Sequence, residues 1–298
     1  MSKNLKTIRD FTRYAITEFE RCGVSLGHGS EDFWQEATFL VLRSLHLPFE
    51  RLESFWGATL TAEEKTDLLE KIRQRAVLKI PTSYLLGEAW LAGERFYVNE
   101  DVLIPRSFIA ELLDADVLDT WIGKKERVKS VLDMCTGGGS LAILAQLALP
   151  EAQVTGADIS EKALAVAAVN REDYGLADSL ELIVSDQFAQ LQGRRFDLII
   201  CNPPYVTEEA MRELPGEYRH EPTLALASGV DGMDFLRRFM PELRSHLTAR
   251  GMALVEIGDG REAFEALWPE LHVEWMATSA GDSLVFLVQA SDLKAAGL

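Results

Sequence analysis

The sequence predicts an α/β fold, a mostly parallel sheet of seven strands with helices on both faces, preceded by a small helical domain and a β-hairpin linker. Three observations carry this. From about residue 106 onward, short runs rich in Val, Ile and Leu alternate with helix-length segments, the pattern that parallel strands and crossover helices require. A glycine cluster directly follows the first of those runs, as in nucleotide-binding sheets. Before residue 88 the apolar residues recur instead at three- and four-residue spacing.

Taken in order, Ile8, Phe11, Tyr14, Ala15 and Phe19 mark one helix face, and Phe33, Trp34, Ala37, Leu40, Val41 and Leu45 mark a second. Thr61-Ala62-Glu63-Glu64 is a capping box that starts a third helix, with Leu68, Leu69 and Ile72 on its buried side. The stretch AWLAGERFYVNEDVLIP reads as two short β runs around polar turns. The chain thus divides into a helical domain at 1–87, for substrate recognition or stabilisation, a hairpin linker at 88–105 and a sheet domain at 106–298. In that last part RVKSVLDM, AQVTGADI, LELIVSD, FDLIIC, GMALVEIG, HVEWMAT and SLVFLVQA are the strands. The helix LAILAQLALP ends at Pro150, and Ser160 is placed to cap EKALAVAAVNREDYG.

Composition narrows the function classes. The 298 residues are 47% hydrophobic, enough for one large core and one small one. No apolar run approaches the roughly 20 residues of a membrane helix, and MSKNLKTIRDFTRYAITEFE is no signal peptide, so a cytoplasmic protein is expected. Cys22, Cys135 and Cys201 form no CxxC pair, and the five histidines are scattered, which argues against a metal site. With 47 acidic against 30 basic residues the formal charge is −17, a surface that repels phosphates and favours a basic partner.

The chemistry is carried by two strand ends. The first strand runs into Asp133-Met134-Cys135-Thr136-Gly137-Gly138-Gly139-Ser140, where glycines let the backbone turn tightly and a ligand approach main-chain atoms. Asp158 ends the second strand, where a ribose-binding acid sits in either an NAD or an S-adenosylmethionine enzyme. Asp133 precedes the glycines by four residues, an awkward place beside a pyrophosphate but a suitable one for the ammonium of a methionine moiety. Asp186, ending the third strand, is placed to approach an adenine amino group.

The strand FDLIIC stops abruptly in Asn202-Pro203-Pro204-Tyr205. Prolines cannot continue the sheet, so a rigid turn stands at the carboxyl end of a central strand, facing the crevice where such sheets bind ligands. The Asn202 oxygen and the Pro203 carbonyl can each accept one hydrogen of a planar amino group and hold its nitrogen toward a methyl donor. Tyr205 is placed to stack on that flat group.

Together these residues resemble class I S-adenosylmethionine-dependent methyltransferases that act on amino nitrogens. Pro81-Thr82-Ser83-Tyr84-Leu85, GERFYVNEDVLIPRS and EPTLALASGVDGMDF extend the resemblance to the protein-(glutamine-N5) methyltransferases over nearly the full length. Pro105-Arg106-Ser107 and Asp133-x-Cys135-Thr136-Gly137 resemble the branch that modifies a large-subunit ribosomal protein, the third of its numbering series; the release-factor branch usually has Pro-Arg-Pro and a glycine at position 135. Gly138, Phe108 and Ser140 depart from common family choices without removing any proposed acceptor. The resemblance implies S-adenosylmethionine as cofactor, contacts from the backbone at Cys135, Thr136, Gly137, Gly138 and Gly139, a ribose contact at Asp158, Gln187 beside adenine, and the four motif residues at the reacting nitrogen. Arg106, Glu111 and Glu221 lie in resembling segments, where structural pairing explains them about as well.

The expected activity is methylation of the side-chain amide of a glutamine in a basic large-subunit ribosomal protein, before or during ribosome assembly, with no membrane and no stable nucleic acid binding. Alternatives are a release-factor glutamine methyltransferase or a nucleic acid adenine or cytosine amino-methyltransferase. Against the last stands the absence of a Lys/Arg cluster to form a basic channel. A dehydrogenase-like nucleotide-binding module would leave the Asn-Pro-Pro-Tyr turn without a purpose.

Overall fold

The computed structural model describes residues 4–298; the first three residues of the expected helical domain lie outside them. The chain forms two compact units. One contains residues to Ala89 together with Val98–Glu100 and Leu214–Glu221, and the other Trp90–Tyr97, Asp101–Glu213 and Pro222–Leu298.

The first unit is built on α1 (Ile8–Arg21), α2 (Phe33–Ser44), α3 (Leu52–Phe55), α4 (Ala62–Val77) and α5 (Thr82–Leu86). Thr7 and Asp10 form a capping box at α1, as Thr61 and Glu64 do at α4, so both helices start where hydroxyl and carboxylate satisfy backbone donors that have no partner inside the helix. Phe11, Phe19, Leu40, Val41, Leu68 and Ile72 fill the core, while Leu69 is half-buried. Trp34, expected on the inner face of α2, is 48% exposed and lies against Trp56 instead. Position 34 lies on the stripe of 37 and 41 at about 100° per residue, but it is the second residue of α2, at the helix end next to the N-cap Asp32.

A buried charge cluster also holds this unit. The Arg75 guanidinium donates to Glu36, to Glu217 at 3.0 Å and to the Ser25 carbonyl at 2.8 Å. Burial alone would raise Glu36, but the Arg75 charge and hydrogen bonds from Ser30, Arg75 and Thr82 hold its carboxyl below the usual range.

The second unit begins with the hairpin β1 (Glu88–Leu91) and β2 (Glu94–Tyr97), whose first two residues count with the helical unit. Then follow α6 (Ile109–Leu112), α7 (Ala115–Trp121), β3 (Ser130–Met134), α8 (Ser140–Ala148), β4 (Gln153–Asp158), α9 (Glu161–Asp173), β5 (Leu180–Val184) and β6 (Phe196–Cys201). The chain continues through α10 (Glu208–Glu213), α11 (Asp234–Leu243), β7 (Leu247–Glu256), α12 (Arg261–Leu267), β8 (Glu274–Trp275), β9 (Val285–Gln289) and α13 (Ala290–Ala295). Ser160 caps α9 as its position in the sequence implied. The seven strands lie in the order β5-β4-β3-β6-β7-β9-β8; β9 is antiparallel to both its neighbours, and the other neighbouring pairs are parallel.

Side-chain alternation divides two cores across the sheet. Val131, Leu198, Ile200 and Leu254 point into one layer, and Leu132, Ile199, Cys201 and Val255 into the other. Strand order reverses between β3 and β6, so the loops leaving their carboxyl ends border the crevice where open α/β sheets take ligands.

Candidate active site

A pocket opens at that reversal. From the loop after β3 come Met134, Cys135 and Gly137; from the ends of β4 and β5, Asp158, Ile159, Ser185, Asp186 and Gln187. The turn after β6 gives Asn202 and Pro204, and Pro222, Leu224, Phe235 and Arg238 complete the far wall. Sequence elements as distant as Asp101 and Arg238 therefore share one cavity.

The glycine loop owes its shape to the left-handed backbone at Gly137 (φ 54°) and Gly139 (φ 82°). A Cβ added at Gly137 would meet no atom within 4 Å, so a side chain there would occupy open space at the pocket wall. Cys135 (φ 62°) and Gln187 (φ 49°) hold the same conformation without being glycine. Both line the pocket, and such strain persists where the surrounding structure enforces it. Asn170, fully buried on α9, fastens the loop by donating to Gly138 O at 2.8 Å and Tyr97 O at 3.0 Å while accepting from Tyr97 N. The sequence carried a signal for it, a lone amide in register with Ala163, Val166 and Ala167.

Asp158 accepts from the amides of Gly137 and Ser160, each at 2.9 Å, with one carboxylate oxygen apiece. Burial raises its carboxyl against these hydrogen bonds. Asp186 reaches the pocket but is paired with Arg238 at 2.8 Å, so an approach to an adenine amino group competes with an ion pair. Gln187 donates to Phe235 O, and its buried Oε1 has no partner among the described residues.

Asp133 lies elsewhere than expected. It is fully buried, does not line the pocket, and accepts from Thr136 Oγ1 at 2.6 Å, with the Ala142 amide near enough to favour its charged form. The first residue before α8 is Gly139, which has no side chain to cap the helix, and the Asp133 carboxylate lies near the Ala142 amide of its first turn. Burial pushes its carboxyl up to about 7, and its Oδ1 is left without a partner. Thr136, Gly138 and Gly139 likewise shape the loop from beneath instead of lining the pocket.

In the Asn202-Pro203-Pro204-Tyr205 turn the four residues separate. Asn202 and Pro204 line the pocket, and Pro203 is buried behind them. Tyr205, expected to stack on a flat ligand, is not part of the lining. Its hydroxyl donates to Glu256 at the end of β7, a residue that the sequence reading did not single out. The only sign of Glu256 in the sequence is an acid closing the apolar run GMALVE. Glu111 accepts from Ser279 instead, and Glu221 lies 3.3 Å from His28.

The pocket fits a nucleoside-bearing cofactor. It offers an acidic acceptor for ribose hydroxyls, an unpartnered amide oxygen, apolar walls at Leu103, Ile159 and Phe235, and a glycine cradle with room above it. Among the described residues no group of His, Cys, Asp and Glu could hold a metal ion, and no helix is long and apolar enough to cross a membrane.

Strand order, glycine loop and pocket define a class I S-adenosylmethionine-dependent methyltransferase, and the Methyltransferase small domain family matches residues 114–215. The chain is 48% identical to the ribosomal protein uL3 glutamine methyltransferase of Burkholderia pseudomallei, over 97% of this chain and 96% of that one. It is 46% identical to the Bordetella pertussis protein of the same name, over 98% and 97%, and 45% identical to that of Neisseria gonorrhoeae, over 98% and 97%. The chain belongs to the ribosomal protein uL3 glutamine methyltransferase family.

Proposed function

We propose that this enzyme transfers a methyl group from S-adenosylmethionine to the side-chain amide nitrogen of a glutamine in ribosomal protein uL3, in the cytoplasm. The observation that carries this reading is the presence of Asn202 in the same pocket wall as Gly137 and Asp158, with its carboxamide bonded to no other described residue. Full-length similarity to enzymes named for that substrate supports it.

When bound, the cofactor supplies an electrophilic methyl group. Asp158 and the backbone from Cys135 to Gly137 would hold its nucleoside, with Gln187 placed to meet the base. An amide nitrogen is a poor nucleophile because its lone pair is delocalised into the carbonyl. Asn202 Oδ1 and the Pro203 carbonyl each accept one of its hydrogens, which orients the lone-pair face toward the methyl group. The two prolines fix these acceptors before substrate arrives, so little reorganisation accompanies transfer.

The test is transfer of labelled methyl from S-adenosylmethionine into a lysate of cells lacking the enzyme, with the labelled residue located by peptide mass spectrometry. Label on a uL3 glutamine supports the proposal. Label on a release factor or in nucleic acid rejects it.

Asp158→Ala is expected to weaken cofactor binding by about tenfold or more, because charge-assisted hydrogen bonds contribute roughly 1.5–3 kcal/mol each. Calorimetry with S-adenosylmethionine measures this directly; unchanged affinity with a lowered melting temperature would assign Asp158 to loop structure alone.

The substrate is assigned as free uL3 or an early assembly intermediate. An enzyme with a formal charge of −17 is drawn to a free basic protein and repelled by the phosphates of a mature particle. Both effects shrink as salt shortens the Debye length from roughly 10 Å at 0.1 M. Rates on free uL3 should therefore exceed those on unmethylated large subunits at low salt and converge as salt rises. Equal rates at low salt would contradict this order of events.

A further inference from the structure

We propose that Glu256 is a positioning residue of the methyltransferase, acting through Tyr205 to hold the Asn202-Pro203-Pro204 turn in register with the cofactor pocket. The inference rests on the assignment of Asn202 to the reacting amide.

Glu256 ends β7, the strand beside β6, and is 2% exposed. Its Oε1 accepts from the Tyr205 hydroxyl at 3.1 Å, and its Oε2 accepts from Ser107 Oγ at 2.6 Å and Phe108 N at 2.9 Å. One carboxylate thus joins the turn after β6 to the segment leading into α6. Ser107 Oγ also accepts from Ile109 N at 3.2 Å, which closes the first turn of that helix. Burial raises the Glu256 carboxyl against these donors, and the same neighbourhood raises the Tyr205 phenol, so the tyrosine keeps its proton to donate.

The ring is confined as well as the hydroxyl. A Cβ added at Gly258 would stand 2.7 Å from Tyr205 Cε2, and one at Gly232 would stand 2.4 Å from the Tyr205 carbonyl oxygen. Both glycines have positive φ, 52° and 77°, so two loops approach the tyrosine more closely than any side chain would allow. Beyond the tyrosine, Val206 exchanges backbone hydrogen bonds with the returning chain, donating to Leu226 O at 2.8 Å and accepting from Ser228 N at 2.9 Å. Asn202 is three residues from this clamp and has no side-chain anchor of its own. The position of its carboxamide is therefore set by the strand on one side and by Tyr205 on the other. Loss of the Tyr205 tether would leave the fold and the cofactor pocket in place while letting the acceptors drift, and displacement of about 1 Å can cost on the order of 10² in rate.

The test is a double-mutant cycle on kcat with purified uL3, with S-adenosylmethionine affinity measured by calorimetry for each variant. Tyr205→Phe keeps the ring, and Glu256→Gln keeps one acceptor oxygen, so both are suited to folding. Each is expected to lower kcat by about tenfold, with cofactor affinity within about threefold of wild type and the double variant no worse than about threefold below the weaker single. Glu256→Ala should fall below Glu256→Gln. Multiplicative losses, normal kcat in Glu256→Gln with only a lower melting temperature, or cofactor affinity falling in step with kcat would each overturn the proposal. Wild-type enzyme inactive on uL3 would instead overturn the parent reading and the role of Glu256 with it.

Discussion

Asn202→Ala is expected to abolish methyl transfer to uL3, with a loss of at least roughly 10²–10³ in kcat, while S-adenosylmethionine still binds within about tenfold of wild type. The reason is geometric. Asn202 and Pro204 stand at the pocket wall, and the carboxamide is the side-chain acceptor that the turn offers there. Its removal eliminates an oriented acceptor for the amide hydrogen and leaves Gly137, Asp158 and Gln187 untouched. Asn202→Asp tests the same point from the other direction. It retains an oxygen but adds a negative charge, which can attract a sulfonium without orienting the amide, so binding should be retained and turnover lost. Single-turnover transfer with labelled cofactor, beside calorimetric affinity, reads both quantities. Near-normal turnover in both variants would remove the turn from the chemistry.

Arg75→Ala is expected to destabilise the helical unit by roughly 3–5 kcal/mol, the usual consequence of removing one partner from a buried ion network. Arg75 is 1% exposed and contacts Glu36, Glu217, the Ser25 carbonyl and the Phe19 ring. Without it two buried carboxylates face each other across an empty volume. The triple replacement Arg75→Met, Glu36→Gln, Glu217→Gln should recover much of the loss, since it removes the charges together with their desolvation cost. Urea unfolding of the three proteins provides the comparison; equal midpoints for wild type and Arg75→Ala would contradict it.

The same cluster makes stability depend on acid. The carboxyls of Glu36 and Glu217 lie below their ordinary value in the folded chain: burial works to raise both, and is outweighed by Arg75 at Glu36 and by the Ser25 amide and Arg75 at Glu217. Their contribution is therefore present above the unfolded value, about 4.3, and is lost as pH falls through the depressed folded values. Asp133 has the opposite sign. With a folded value of about 7 it binds its proton more tightly than the unfolded chain does, so its burial costs stability as pH rises from about 4 toward 7.

Much of the site was legible because its signals are local. A strand that ends in Asn-Pro-Pro must leave the sheet, and three glycines after a strand must turn; both statements depend on a few adjacent residues. The helix caps at Thr61 and Ser160 are equally short-range, and the structure contains both. Asp133 is not among the residues that line the pocket, because an acid at a strand end can face either the ligand or the helix that follows. Here it bonds Thr136 in the loop leading to α8, near the amide that the glycine N-cap leaves unserved. The hydroxyl partner of Tyr205 was not legible for a related reason: an aromatic after a turn has no visible partner until the end of another strand arrives beside it.

By itself, the sequence determined the order of strands and helices, the class of cofactor and the chemistry available at the turn after β6, since backbone propensity and side-chain type act over a few residues. Tertiary structure alone decided which buried polar groups meet. Glu217 joins Arg75 across 142 positions of chain, Glu256 joins Ser107 across 149, and Glu256 receives the Tyr205 hydroxyl. A buried carboxylate requires donors in three dimensions, and any of several segments could have brought them. Only the packing of strands and loops selects which donors arrive, and with them which residues hold the site in place.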